Sequence, residues 1–157
     1  MENSPPSPTV TAVEKGTSDR LLRESLERCR TAGLRRTKSL EEILRVLIQA
    51  QGPMTLTSLG AALGSQCDKA TVYRLLIRLE EHSVIRRLGF HDRSAHYTMR
   101  YPDRHDDYLI CTGCGSVESL DIHCPVEVLE REISSNSGYT KLYHELQFYG
   151  VCPDCAG

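Results

Sequence analysis

The sequence predicts an α+β chain: an N-terminal winged helix-turn-helix domain followed by a small α/β domain built on a four-cysteine zinc site. Three observations predict it. The first is a pair of Cys-x-x-Cys turns, Cys111-Thr-Gly-Cys114 and Cys152-Pro-Asp-Cys155. Each turn can aim two thiolates at one ion, and two turns supply the four sulfurs of a closed tetrahedral zinc site. The second is a run of helical apolar stripes that gives way to two short strand-like segments around a polar turn. The third is charge segregation. Residues 1–100 hold 16 Lys/Arg against 11 Asp/Glu and residues 101–157 hold 3 against 10, so a net charge of −2 conceals a basic half followed by an acidic one. The basic half suits a polyanion and the acidic half suits cations.

The bulk composition narrows the field. With 157 residues, 39% of them hydrophobic, and no Trp, the chain has material for one or two small domains. No apolar run reaches membrane-spanning length and the N-terminus has no signal-like apolar segment, so a cytoplasmic protein without a membrane partner is expected. Seven cysteines is an odd number, and with four assigned to zinc the usage suits a reducing compartment. A redox Cys-x-x-Cys opens a helix in a βαβ setting, which neither pair has. No nucleophile–base constellation or phosphate loop is present, so neither an enzyme nor a small organic substrate is expected.

The elements follow in order. Residues 1–17, rich in Pro, Ser and Thr, read as a disordered tail. Ser18 can cap a helix beginning near Asp19, with Leu21, Leu22, Leu26 and Cys29 at helical spacing and Gly33 as its stop. Thr37 or Ser39 caps a second helix striped by Ile43, Leu44, Leu47 and Ile48, ended by Gly52-Pro53. Thr55–Leu63 is a short helix closed by Gly64. Asp68 caps a longer helix running roughly to His82, with Val72, Leu75, Leu76 and Leu79 on its apolar side. Helix, short helix, turn, helix is the helix-turn-helix pattern. Val84–Gly89 and Ala95–Met99 then form a hairpin around Phe90–Ser94, which makes a wing. In such a fold the second helix of the pair enters the major groove with its N-terminal residues first. Lys69, Thr71, Tyr73, Arg74 and Arg78 lie on or near that end, and Arg86, Arg87 and Arg93 on the hairpin are placed to reach the phosphate backbone. The winged-helix domain is thus expected over residues 18–101, with double-stranded DNA as its partner.

Tyr101-Pro102-Asp103 reads as a hinge into a second domain over residues 102–157. His105–Cys111 reads as a strand entering the first zinc turn, and Ser116–Leu120 as its returning partner. Pro125 starts a helix with Val126, Leu129 and Ile133 on one face, and Gly138 ends it. Leu142–Tyr149 alternates as a final strand running into the second zinc turn. The four thiolates would therefore clamp the first and last strands of a thin domain. His105 and Asp107 project from one face of a strand. With His144 on another strand and Glu127 in the first turn of the helix, they make a borderline-hard set that suits Fe(II), Zn(II) or Mn(II) as a second metal.

Asp68-Lys-Ala-Thr-Val-Tyr-Arg74, Tyr108-Leu-Ile-Cys-Thr-Gly-Cys-Gly-Ser-Val117 and Tyr149-Gly-Val-Cys-Pro-Asp-Cys155 resemble, in order, the ferric uptake regulator (Fur) family, as does Gly33-Leu-Arg-Arg-Thr37. The resemblance covers about residues 20–156. It implies a dimeric, metal-responsive transcriptional repressor of metal-ion homeostasis that binds AT-rich palindromic operators, with a C-terminal domain for dimerisation and metal. By position, Cys111, Cys114, Cys152 and Cys155 match the family's structural zinc ligands. His105, Asp107, Glu127 and His144 match a second, often iron-binding, site. Tyr73 and Arg74 match the DNA-contacting pair. The main expectation is an iron-responsive repressor, with zinc-uptake or peroxide-responsive regulation as alternatives in the family. From another class, a zinc-stapled protein-interaction module would lack the steep salt dependence of DNA binding. The chain also departs from the family. Where its hinge sensor takes three His and an acid, this sequence has Met54, Asp106, Tyr108 and Thr98, leaving His91, His96, His123 and Cys124 as residues able to rebuild such a site.

Overall fold

Five apolar residues on one helix organise the first half. In the computed structural model, which describes residues 15–50, 52–89, 95–102, 106–120 and 122–157, α2 (Lys38–Gln49) buries Leu40, Ile43, Leu44, Leu47 and Ile48. Of the two caps the sequence offers, the backbone uses Thr37, whose Oγ1 accepts from the Leu40 N–H at 3.1 Å. Across α2 lies α1 (Lys15–Thr31), which buries Leu22 and Cys29. Burial pushes the Cys29 thiol up, as befits a small hydrophobe in the core. Because α1 begins at Lys15, four residues before the expected start, residues 15–17 belong to the helix and not to a tail. No proline interrupts that stretch, so nothing forces the helix to wait for the Ser18 cap. The rest of the expected tail lies outside the described residues. Arg28 donates to the carbonyls of Ser83 and Arg100, tying α1 to both ends of the wing.

The helix pair follows as expected. α3 (Leu56–Leu63) is capped by Thr55 and closed by Gly64, and α4 (Lys69–Glu81) is capped by Asp68. Just ahead of α3, Met54–Thr55 forms β1, an element too short for any periodicity to announce. It pairs with β3 (His96–Met99), which pairs in turn with β2 (Ile85–Leu88), giving an antiparallel sheet of order β1-β3-β2. The expected turn Phe90–Ser94 lies outside the described residues. Val72, Leu76 and Leu79 anchor α4 in a core that runs from Leu22 to Met99. The Asp68 carboxylate accepts from both the Thr71 N–H and its hydroxyl, which holds this carboxyl below the usual range. Asp68→Ala is expected to destabilise the start of α4, read as a lowered urea midpoint at unchanged slope. An unchanged midpoint would mean that packing alone sets the start of α4.

The second half is a sheet of order β5-β4-β6. β4 (Asp107–Cys111) runs antiparallel to β5 (Val117–Leu120) and parallel to β6 (Gln147–Gly150). β6 is half the length expected. Residues 142–146 alternate correctly, but Tyr143, His144 and Glu145 are engaged by tertiary partners described below, and Lys141 ahead of them has φ 56°. α5 (Glu127–Ser137) ends at Gly138, whose φ of 74° closes the helix with an N–H donated to Ser134 O. Leu129 and Ile133 do fall on one face of α5, yet they remain 50% and 42% exposed, and no residue of this helix is buried. Among the described residues of this half, the buried side chains are those of Asp107, Tyr108, Ile110 and Cys111, all on β4, with Gly115 buried in the turn that follows. A short helix, α6 (Pro153–Ala156), carries the last cysteine.

Candidate metal centre and nucleic-acid face

The register of β4 and β6 decides where the cysteines go. Leu109 lies opposite Phe148 and Cys111 opposite Gly150, so the parallel pair delivers Cys111 and Cys152 to the same end of the sheet. Thr112 N–H donates to Gly150 O at 2.7 Å, and Gly115 N–H to Cys111 O at 2.9 Å, which folds the first turn back. The ligand atoms of Cys111, Cys114, Cys152 and Cys155 then all lie within 4.8 Å of one another, the one such cluster of metal-ligating side chains among the described residues. Cys114 Sγ and Cys152 Sγ are 3.8 Å apart. Sulfurs bound at about 2.3 Å around a tetrahedral zinc are separated by about 3.8 Å, so the donor set fits that ion. The turns close tightly on Gly113: a Cβ there would stand 3.0 Å from Cys155 Cβ and Sγ, so a larger residue would push on the second cysteine pair.

Electrostatics points the same way. The N–H groups of Cys114 and Cys152 converge on Cys111 Sγ and bring its thiol down to about 6. Cys155, crowded by Cys152 and the other sulfurs, is pushed up to about 12. One site cannot hold four thiolates against one another without a cation, and a divalent ion removes that conflict.

The second expected ligand set is placed differently. His105 lies outside the described residues. Asp107 is buried at the start of β4, and its Oδ1 has no hydrogen-bond partner among the described residues. Glu127 is exposed as the first residue of α5. His144 is half-buried between two other groups: Glu130 Oε1 is 2.8 Å from its Nδ1, and Cys124 Sγ is 3.1 Å from its Nε2. Sequence reading missed Glu130, which is one more acid on an acidic helix and gives no signal of its own. Of the other candidates for a rebuilt sensor, His96 is half-buried on β3, His123 is exposed, and His91 lies outside the described residues.

Among the described residues, the segment read as the hinge is packed by aromatic and ion-pair contacts. Tyr108 is buried, its hydroxyl is hydrogen-bonded to Thr98, and burial pushes that phenol up. Arg86 lies over the Tyr108 ring at 4.8 Å, donates to Asp106 O, and reaches Glu145 Oε1 at 3.4 Å. Arg100 reaches the same carboxylate at 3.6 Å and covers the Tyr143 ring at 4.5 Å. Arg86 was expected at the DNA backbone. Its side chain is only 11% exposed and faces the hinge, because the buried Tyr108 and the carboxylate of Glu145 offer it partners there.

On α4, Val72, Leu76 and Leu79 turn inward, which turns two neighbouring rows outward. One row is Lys69, Tyr73 and Ile77, and the other is Ala70, Arg74 and Arg78, all exposed. Ile77 also belongs to this face, exposed beside Tyr73. Thr71 is half-buried, with its hydroxyl engaged by Asp68 in the helix cap. Arg93 lies outside the described residues.

The model of the ferric uptake regulator family matches residues 31–149. The chain belongs to the ferric uptake regulator family. It is 31% identical over 118 residues to the ferric uptake regulation protein of Neisseria meningitidis, covering 74% of this chain and 71% of that protein. It is 28% identical over 139 residues to the peroxide operon regulator of Bacillus subtilis, covering 86% and 93%. Among solved structures, the ferric uptake regulator from Pseudomonas aeruginosa with manganese superposes with a TM-score of 0.66 at 26% identity, covering 82% of this chain and 98% of that one. The Helicobacter pylori ferric uptake regulator shares the fold at a TM-score of 0.68 and 20% identity, covering 94% and 97%. The overall fold is thus one shared with ferric uptake regulators of known structure. No helix among the described residues is long and apolar enough to cross a membrane.

Proposed function

We propose that this Fur-family chain is a metal-responsive, DNA-binding transcriptional repressor of metal-ion homeostasis, iron-responsive in its main reading, acting in the cytoplasm as a homodimer on an AT-rich palindromic operator and having no catalytic activity. The observation that carries the reading is the pair of outward rows holding Tyr73, Arg74 and Arg78 on a helix capped and packed so that its N-terminal end is presented. Arg74 and Lys69 neutralise phosphate or read guanine, and Tyr73 contacts phosphate or a thymine methyl. The open face of α5, together with Leu109 and Phe148 side by side on the sheet, is apolar surface that a second protomer covers.

Cys111, Cys114, Cys152 and Cys155 hold a structural zinc that supplies the fold with four charge-neutralised sulfur bonds. His105, Asp107, Glu127 and His144 are the residues from which the regulatory site draws. A bound divalent ion contributes the positive charge that makes the buried Asp107 carboxylate favourable. Asp107 sits one residue from Tyr108 at the hinge. Fixing that carboxylate therefore fixes the strand that carries the hinge, and with it the spacing of two recognition helices. An operator with two-fold symmetry accepts one such spacing, so metal shifts the population toward the DNA-competent arrangement.

The test is fluorescence anisotropy of a labelled fragment from the gene's own upstream region. Chelator-treated protein is titrated anaerobically with Fe(II), Zn(II) or Mn(II). Tight, salt-sensitive binding with one metal is expected, abolished in Asp107→Ala and His144→Ala with the four-cysteine zinc retained. Undiminished binding in both variants overturns the metal-dependent mechanism. Binding that is lost on peroxide treatment supports the second reading, a peroxide-responsive regulator, which the similarity to the Bacillus subtilis protein favours.

A further inference from the structure

Cys124 and His144 meet although 20 residues of chain separate them, with Sγ 3.1 Å from Nε2. The sulfur is fixed from its other side by the Val126 N–H, at 3.4 Å, at the start of α5. The opposite ring nitrogen, Nδ1, lies 2.8 Å from Glu130 Oε1, and both of those atoms are buried. A carboxylate on one imidazole nitrogen fixes the ring's orientation and tautomer and leaves the other nitrogen as the donor to a metal. Here that other nitrogen is turned toward a thiol. Asp107 stands between the two segments. It pairs with Leu120, four residues before Cys124, and the N–H of the next residue, Tyr108, donates to Leu146 O, two residues after His144. Its buried Oδ1 has no hydrogen-bond partner among the described residues, as a waiting oxygen donor would not.

We propose that Cys124 Sγ and His144 Nε2 are paired ligands of the second metal site, with Glu130 orienting the imidazole from outside the coordination shell. This rests on the reading above that His144 serves that site. It changes what the site selects. Sequence reading gave a set of nitrogens and oxygens, which suits Fe(II) and Mn(II) as well as Zn(II). A thiolate donor shifts the preference toward a thiophilic divalent ion of the zinc class and away from Mn(II). Glu127, exposed at the helix start, is not needed for the set.

The experiment uses the full chain carrying one zinc per protomer at the four-cysteine site. It is titrated anaerobically with Co(II), with released zinc followed by a chromogenic chelator and only the zinc-retaining range used. The second equivalent is expected to bring a near-ultraviolet sulfur-to-cobalt charge-transfer band together with visible d–d bands. In Cys124→Ser the charge-transfer band disappears and affinity falls by about tenfold or more, while Glu130→Gln keeps the band and binds about 10–100-fold more weakly. If Cys124→Ser does not fold, the unsubstituted chain decides alone: a second Co(II) without the charge-transfer band overturns the thiolate ligand and leaves His144 and Asp107 as a second site. An unchanged spectrum and affinity in a folded Cys124→Ser does the same. No second equivalent at all overturns both this inference and the reading on which it rests.

Discussion

Cys152→Ser is expected to unfold the C-terminal half while the N-terminal half stands. The buried apolar side chains of β4 are Tyr108 and Ile110, and the core that runs from Leu22 to Met99 takes no buried residue from beyond that point. A parallel pair such as β4 and β6 has no hairpin to close it and depends on whatever ties its ends. Here the tie is the cysteine cluster, in which Cys152 contributes one sulfur and also an N–H to Cys111 Sγ at 3.2 Å. Structural zinc is worth about 10–16 kcal/mol of apparent binding energy, as much as the whole stability of an ordinary domain at about 5–15 kcal/mol. Three remaining thiolates cannot keep that ion against a competing chelator. Bound zinc is expected to fall to below one per protomer, and amide protection to vanish at Leu109, Ile110 and Phe148 while it persists at Leu44 and Leu76. Retained protection on β4 after zinc loss would show that the sheet stands by its own packing.

Arg74→Ala is the substitution expected to damage DNA binding most while leaving the fold intact. Arg74 is exposed in the outward row with Arg78, and its neighbour Tyr73 is 48% exposed despite its size, so neither side chain supports the core. If the guanidinium reads a guanine, the loss is about 1–3 kcal/mol per protomer and is confined to the contacted base pair. If it neutralises a phosphate, binding weakens evenly across sequences and the salt slope falls by about one per protomer. Anisotropy titrations at several salt concentrations, on the operator and on a scrambled duplex, separate the two. An unchanged affinity and slope on both duplexes would remove α4 from the interface.

How much of this was legible beforehand varied with the range of the interaction. Thr37 and Asp68 cap helices three residues ahead of the N–H they satisfy, so a short window of sequence contains both partners, whereas Thr55, read as the first residue of its helix, is its cap. The stripe on α2 and Val72, Leu76 and Leu79 on α4 repeat at helical period and are buried as their spacing indicates, while Leu75, read with them, is half-buried. The final strand reads too long for the opposite reason. Leu142–Leu146 has strand periodicity, but its side chains answer to Arg86, Arg100, Cys124 and Glu130, all distant in sequence. β1 was missed because two residues carry no period.

The sequence by itself determined the kind of protein this is. Two Cys-x-x-Cys turns, a helix-turn-helix with a wing and an ordered set of family motifs are each local, and together they are specific enough to place the chain among ferric uptake regulators. Tertiary structure alone decided what surrounds the metals and the hinge. Arg86 turns from the DNA side to the hinge because a buried ring and a carboxylate from 59 residues further along the chain arrive beside it. His144 faces Cys124 and Glu130 for the same reason: the β4–β6 register brings distant segments to one place. Ligand type is written in the residues, but which residues share an ion is set by strand register and loop path, and those are properties of the folded chain.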